Sequence, residues 1–577
     1  MTTHIKSLST KTLEPQALLG PTLADVLVRI PGLAEVSVQA RHNMTSAINT
    51  VARVLDRPPF LVPIAAPALR KLMSEAQPAA VGLSPSRWRN VKCDVHRAIK
   101  MSGLSTAAKT AVLPLSDSWT QLVDRVADRF ARSVIRKFGR FCSSCQVAPE
   151  DADNSTLSRY LEYLEANQLA RVPARSVGVL VRAWNKHIAG SLVGLYHPLT
   201  PLNRSRKYAL DWEDLPASLS AEVKAFHEAQ LHPDPFERSS RKAVSPHTIT
   251  NRDFLIRRLA AALVVRGIEK DDLQSLGDLF RLERLKEGLR FFLEREGDQP
   301  CTQVPHYINL ALVIGKRWIH LPDDQIAEFK LLARQFHRPQ NGLTEKNRTR
   351  LRQFADDKVI AQFLGLSRQL IAKAQKMPLS CRSALLVQTA LAIEILTFAP
   401  MRIGNLVGLN RQQHFHWARH DGKRVLHIVL PADEVKNTID LEYPLPPDLS
   451  AMLDTYMTTY QPLLARGRKS GFLFPGMKGG HKQQAGFSRK ISATILQETG
   501  LKVYPHLFRH FAALMFLMHH PGNYEEVRRI LGHKRIETTL RNYAGMETAA
   551  ALRRYDEIVL ARRNAPLVLR GHKKAAA

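Results

Sequence analysis

The chain is poor in cysteine and in acid, and it lacks long apolar runs. Its 577 residues contain five cysteines, Cys93, Cys142, Cys145, Cys301 and Cys381. So odd and sparse a set frames no disulfide scaffold and points to a reducing compartment. Cys142 and Cys145 have metal-ligand spacing, but no second cysteine pair accompanies them, so they read as core or surface thiols. The opening MTTHIKSLSTKTLEPQ has no apolar core of a secretory signal. The longest apolar run, Leu385 to Phe398, is interrupted by Gln388, Thr389 and Glu394. It reads as a buried helix, and no membrane partner is expected. A phosphate-binding Gly-rich loop and a metal-spaced carboxylate cluster are also missing from the pattern.

Basic residues are plentiful. Lys and Arg number 83 against 52 Asp and Glu, a formal net charge of +31, in a chain that is 45% hydrophobic and so has the composition of a folded protein. An excess of this size favours a polyanionic partner, most simply nucleic acid, over a surface charged only for solubility.

The length predicts three or four domains. Residues 1–115 form an N-terminal region of helices or arm with no recognisable motif. Its firmest element starts at Ser84-Pro85, a cap followed by proline at the first helical position, and carries Arg87, Arg89, Lys92, Arg97 and Lys100 around Trp88. That helix either lies along phosphates or presents a solvated basic face over a core tryptophan. Residues 116–210 read as a helical DNA-binding unit, with Trp119, Leu122, Val123, Val126, Phe130, Val134 and Phe138 on one helical face. The stretch 196–246, which straddles the end of that unit, is punctuated by prolines, contains the basic run Arg204-Ser205-Arg206-Lys207 and reads as an inter-domain connection. Residues 211–337 form a second helical unit. Residues 343–560, capped at Thr344, read as mostly helical with three strands, over HFHWARH, KRVLHIVL and TIDLEYPL. Asp421-Gly422 supplies the hairpin turn. The basic end, 561–577, reads as a disordered tail. The fold class is therefore mainly α and multidomain, with helical DNA-binding domains ahead of a mixed α+β domain.

Within that last region four pieces fall in order. Arg402 opens a helix after an apolar one, where backbone N–H groups and a guanidinium fork suit an anion. Lys436 sits in the turn between the second and third strands, where an ammonium reaches a cleft as a proton donor. His506 and Arg509 are three apart on one helical face. Leu531-Gly532-His533 is followed by Tyr543. Taken singly, each has a plainer explanation: a surface arginine, a surface lysine, a structural pair, a helix-capping histidine and a packing tyrosine.

As an ordered set, Arg402, Lys436, His506-x-x-Arg509-His510, Leu531-Gly532-His533 and Tyr543 resemble the signature of the tyrosine recombinases, the phage integrase family. The resemblance covers about 343–560 through motifs, and more loosely 116–336. It implies a DNA breaking-rejoining fold and a site-specific recombinase serving a mobile element. Double-stranded DNA carrying recombination sites is the implied partner, with a homotetramer at synapsis in the cytoplasm, on the nucleoid. It also implies roles. Arg402 and Arg509 clamp the scissile phosphate, Tyr543 attacks phosphorus to give a 3′-phosphotyrosyl intermediate, Lys436 is general acid, His506 accepts the phenolic proton, and His533 donates to the phosphate, with no metal or ATP. Two departures stand out. Asn405 occupies a place often acidic in the family. Tyr543 lies ten residues after His533 where nine is common, Asn542 holding the ninth place and Tyr555 being the next tyrosine downstream. The alternative is a DNA-binding accessory protein that has kept the fold and lost catalysis.

Overall fold

The computed structural model describes residues 20–564 apart from the segments 105–113, 169–171, 191–194, 201–208, 234–235, 237–242, 296, 298–302, 338–341, 469, 478 and 547. The basic run 204–207 and the tail beyond Asn564 lie outside the described residues. The backbone clusters into two compact units, Asn203–Pro339 and the remainder. Among the described residues there are four hydrophobic cores, drawn from 23–104, 115–199, 210–336 and 343–546.

The N-terminal core is helical. Ser84 accepts a bond from the Arg87 amide at 3.2 Å and starts the Pro85–Met101 helix. Trp88, Val91, Val95, Ala98 and Ile99 face the core, and Arg87, Arg89, Arg97 and Lys100 stay at the surface. The Arg70 guanidinium joins this core to the next, donating to the Glu165 and Gln168 carbonyls at 2.8 and 2.5 Å.

In that next unit the single apolar face expected from Trp119 to Phe138 is split between two helices, Asp117–Asp124 and Arg129–Ser144. Asp128 accepts from the Ala131 amide at 2.7 Å and starts the second helix in a new phase. Phe130 consequently points outward, while Trp119, Ile135, Phe138 and Trp184 pack together. Cys142 is buried among them, and burial pushes its thiol up beyond the ordinary range. Such a thiol is inert.

The Asn203–Pro339 unit is helical as far as it is described. Ser245 caps the Pro246–Val265 helix, whose apolar residues pack on Leu282–Arg295 and Val304–Ile314.

The C-terminal domain is built around the helix Cys381–Phe398. Among the described residues it is the one helix long and apolar enough to cross a membrane, and most of it is buried in the domain core. Its polar residues are paired inside. The Gln388 amide donates to the Tyr456 hydroxyl at 2.8 Å, and the Ser367 hydroxyl donates to the Glu394 carboxyl. Beside it lies an antiparallel sheet in the order β1-β2-β3, with β1 Phe415–His420, β2 Lys423–Leu430 and β3 Leu441–Pro444. His420 pairs with Lys423 across a two-residue turn at which Asp421 and Gly422 have φ of 48° and 75°, values that suit aspartate and glycine. Leu426, Ile428 and Leu430 alternate into the core. The third strand begins three residues later than its apolar pattern suggests. Thr438 has φ of 50° and Asp440 turns its carboxylate to the Ala432 amide at 2.7 Å, so the chain before Leu441 is a turn.

Candidate active site

The C-terminal end of the Cys381–Phe398 helix delivers the chain to Ala399, Pro400, Met401 and Arg402. Arg402 has extended backbone angles and precedes the short helix Ile403–Gly408. Its side chain is half-buried. Nη2 donates to the Asn437 side-chain oxygen at 3.1 Å, whereas Nη1 is buried and has no hydrogen-bond partner among the described residues. A buried guanidinium nitrogen without an acceptor favours an anion beside it.

Arg509 lies on the Pro505–His519 helix and is only 1% exposed. Nη1 donates to the Pro400 carbonyl at 2.7 Å and Nη2 to the Leu531 carbonyl. Three separated segments, 400–402, 505–509 and 531–533, are thereby pinned by one guanidinium that is still charged, because a carbonyl neutralises nothing. Tyr443 of β3 sits near both arginines, and its hydroxyl donates to the Ile530 carbonyl at 3.2 Å.

Lys436 is exposed in the turn between β2 and β3, close enough to His506 for its charge to act there. That turn is tied down on three sides. Asn405 donates to the Glu434 carbonyl at 3.1 Å, His414 meets the Glu434 carboxylate at 3.0 Å, and Asn437 donates to the Gly532 carbonyl at 2.6 Å. Asn437 therefore bridges Arg402 to the Gly532 turn. Gly532 has φ of 59°, and a Cβ there would collide with Leu441. The glycine is required both by its backbone angle and by the closeness of β3.

His533 follows that turn. It is buried, and its Nδ1 lies 3.0 Å from the Thr539 hydroxyl. Tyr543 is the last residue of the helix Ile536–Tyr543 and is 2% exposed. Its ring is nearly parallel to that of His533, at 6.2 Å, and its hydroxyl lies 3.0 Å from His510 Nδ1. Asn542 turns back to the Thr538 carbonyl at 2.8 Å. At ten residues from His533 it is thus the phenol that faces the histidines. Tyr555 is 62% exposed on the Thr548–Asn564 helix.

The electrostatics follow from this crowding. Burial, then Arg509, Arg402 and Lys436, hold His506 down at about 4. His506 keeps an exposed edge, so the three cations are the cause that persists where water reaches the ring. Burial and the neighbouring cations hold His533 at about 4. Burial pushes Tyr543 up to about 12, with Arg509 opposing. No carboxylate is among the causes acting on His506, His533 or Arg509. The pocket is therefore cationic, with neutral imidazoles and a protonated phenol, and it is electrostatically suited to one anion.

Sequence reasoning selected Arg402, Lys436, His506, Arg509, His533 and Tyr543, and these lie in or at the rim of this one pocket. It passed over Asn437, Tyr443, Thr539 and Asn347, and assigned no role to His510. Asn437 adjoins Lys436 and His510 adjoins Arg509, so proximity was their signal. Asn347, 163 residues before His510, carried none.

Residues 367–549 match the model of the phage integrase family. Among solved structures, a XerA recombinase is 16% identical, with 59% of this chain and 98% of that one covered and a TM-score of 0.22. The Tn1549 transposon integrase (residues 82–397) in complex with circular intermediate DNA is 16% identical, over 58% of this chain and 99% of that one, with a TM-score of 0.34. A lambda integrase dimer bound to a COC′ core site is 12% identical, over 64% and 87%, with a TM-score of 0.31. No curated protein matches.

Proposed function

We propose that this chain, which carries a phage integrase domain over residues 367–549, is a site-specific DNA recombinase that cuts and rejoins DNA through Tyr543. The observation that carries the reading is the convergence of Arg402, Arg509, His506, His533 and Tyr543 on one cationic pocket in which, among the described residues, no hydrogen bond or ion pair joins these side chains to a carboxylate. A phosphodiester supplies the missing single negative charge. Arg402 Nη1 is the donor held for it, and Arg509 contributes charge while its own donors brace the pocket.

In the forward step the Tyr543 Oη–P bond forms and the P–O5′ bond breaks. The phenolic proton passes to His506, and Lys436 gives a proton to the departing 5′-oxygen. The phosphodiester is conserved as a 3′-phosphotyrosine, and a 5′-hydroxyl reverses the step on the partner strand. At about 4, His506 is a poor base in the free protein. A bound phosphate offsets the cations that depress it, so the base becomes effective only with substrate in place. Strand exchange calls for several protomers on two DNA sites. The Thr548–Asn564 helix, with Leu552, Tyr555 and Ile558 exposed, suits docking on a neighbouring protomer in a tetramer. Such a protein works in the cytoplasm, on the nucleoid, in the service of a mobile element. Its helical units at 116–210 and 211–337 supply phosphate contacts that fade with salt.

Burial of Tyr543 favours a second reading, an accessory protein that binds DNA without cutting it. The two are separated with nicked duplexes selected by the protein from a randomised pool. Recombination predicts a covalent adduct on denaturing gels. DNA bound tightly without any adduct supports the accessory role.

A further inference from the structure

Behind Tyr543 lies a polar chain that the scheme above does not use. His510 Nδ1 is 3.0 Å from the Tyr543 hydroxyl, and His510 Nε2 is 3.4 Å from the Asn347 amide nitrogen. The Tyr504 hydroxyl donates to the Asn347 side-chain oxygen at 2.9 Å. Arg350 stacks on the Tyr504 ring, 4.7 Å from its centroid. Asn347 is itself set by the cap of the Glu345–Leu351 helix, where its backbone N–H donates to the Thr344 hydroxyl at 3.3 Å. These contacts bear on protons as well as positions. The Asn347 side-chain oxygen faces the Tyr504 hydroxyl and its amide nitrogen faces His510 Nε2, and an amide nitrogen only donates. With the amide in this orientation His510 Nε2 accepts. A neutral imidazole that accepts at Nε2 carries its proton on Nδ1, which then donates to the Tyr543 oxygen. Burial, His506, Arg509 and His533 favour the neutral ring.

Resting on the recombinase reading, we propose that His510 is a further catalytic residue, an Nδ1–H donor to the nucleophilic oxygen, and that Asn347 is the positioning residue that fixes its tautomer. The consequences are specific. His510 does not take the phenolic proton, because its facing nitrogen is already protonated, and that proton is left for His506. During attack His510 keeps its proton and stabilises the charge developing on the phenolic oxygen. In rejoining, the Oη–P bond breaks, the phenolate leaves towards the same N–H, and it recovers a proton from His506. The buried, high-pKa phenol thus has one fixed donor that matters most when it is a phenolate.

The test has two arms. In the full-length protein labelled with ¹⁵N-histidine, long-range proton–nitrogen spectra report which ring nitrogen of His510 is protonated, with His510→Gln identifying the signal. The expected result is Nδ1–H in wild type and protonation at Nε2 in Asn347→Asp, where a carboxylate faces that nitrogen. A neutral wild-type ring protonated at Nε2 overturns the proposal whatever the activity. In the second arm, single-turnover adduct formation is measured on the selected nicked duplex. Loss of a fixed donor to developing charge predicts about a hundredfold slower cleavage in His510→Phe. Loss of the tautomer lock predicts about tenfold in Asn347→Leu. His510→Gln, which can still donate, should recover part of the rate, and it serves if the phenylalanine variant fails to fold. An adduct in wild type with undiminished rates in all three variants removes His510 from the chemistry and leaves the recombinase reading intact. No adduct in wild type sinks that reading, and His510's part in it falls too.

Discussion

Replacing Asn437 with alanine should separate the pocket's geometry from its charge. Asn437 accepts from Arg402 at 3.1 Å and donates to the Gly532 carbonyl at 2.6 Å, so one amide joins the first arginine to the turn that carries His533. Truncation removes both bonds. The bond to the guanidinium is charge-assisted, and such bonds contribute about 1.5–3 kcal/mol, whereas an ordinary one contributes about 1 kcal/mol. Arg402 is only half-buried and water will replace part of this, so a stability loss of about 1–2 kcal/mol is expected. Cleavage should suffer more, because Arg402 Nη1 already lacks a partner and the side chain is then free to turn from the phosphate. A misplaced clamp costs about a hundredfold in rate. Asn437→Asp sharpens the test. A carboxylate keeps Arg402 in place and neutralises it but cannot donate to the Gly532 carbonyl, so stability should fall by about the 1 kcal/mol of that one bond while phosphate binding and cleavage fall further. The assays are urea unfolding and single-turnover adduct formation on one DNA. Cleavage within twofold of wild type in Asn437→Ala would refute the reasoning about this bridge, and faster cleavage in Asn437→Asp would refute the claim that the site needs its uncompensated positive charge.

Gly532→Ala should lower stability by about 2–5 kcal/mol, the sum of left-handed backbone strain and overpacking against Leu441, read as a fall in Tm. Glu394 has its carboxyl raised above 4.5 by burial, so its contribution to stability is present below that value and is lost as pH rises through the folded-state value. Glu394→Gln should flatten this limb of the stability–pH curve, and an unchanged slope would count against a buried neutral carboxyl. His506 should titrate near 4 in the free protein and higher when DNA is bound, a difference that NMR of the labelled ring detects. Changing Leu552, Tyr555 and Ile558 together to aspartate should abolish multi-protomer complexes on native gels while a single protomer still binds, and intact higher complexes would exclude that helix as the contact.

Much of this architecture is legible in the residue pattern because its devices are local. Ser84-Pro85, Ser245-Pro246 and Thr344 each start a helix, and Asp421-Gly422 makes the hairpin turn. The apolar run at 385–398 is the domain's buried helix. Periodicity misled where a cap reset it, as at Asp128, which put Phe130 on the outside. The ordered polar set was also visible, because Arg402, Lys436, His506 and His533 lie at helix starts and turns and Arg509 follows His506 by three residues. What it did not reveal is how they are held. Arg509 is braced by the Pro400 and Leu531 carbonyls, Asn437 ties two loops, and Asn347 reaches His510 across the domain. Backbone carbonyls and distant amides leave no spacing rule to read. The ten-residue step from His533 to Tyr543 looks like a fault in register, yet helix phase turns Asn542 to its own backbone and Tyr543 to His510.

The most direct measurement is the identity of the residue joined to DNA. Wild-type protein incubated with the selected nicked duplex should yield a covalent adduct, and peptide mapping should find the 3′-phosphate on Tyr543. Tyr543→Phe should bind the same DNA and form none. An adduct that persists in Tyr543→Phe, or that maps to Tyr555 or any other residue, would contradict the account.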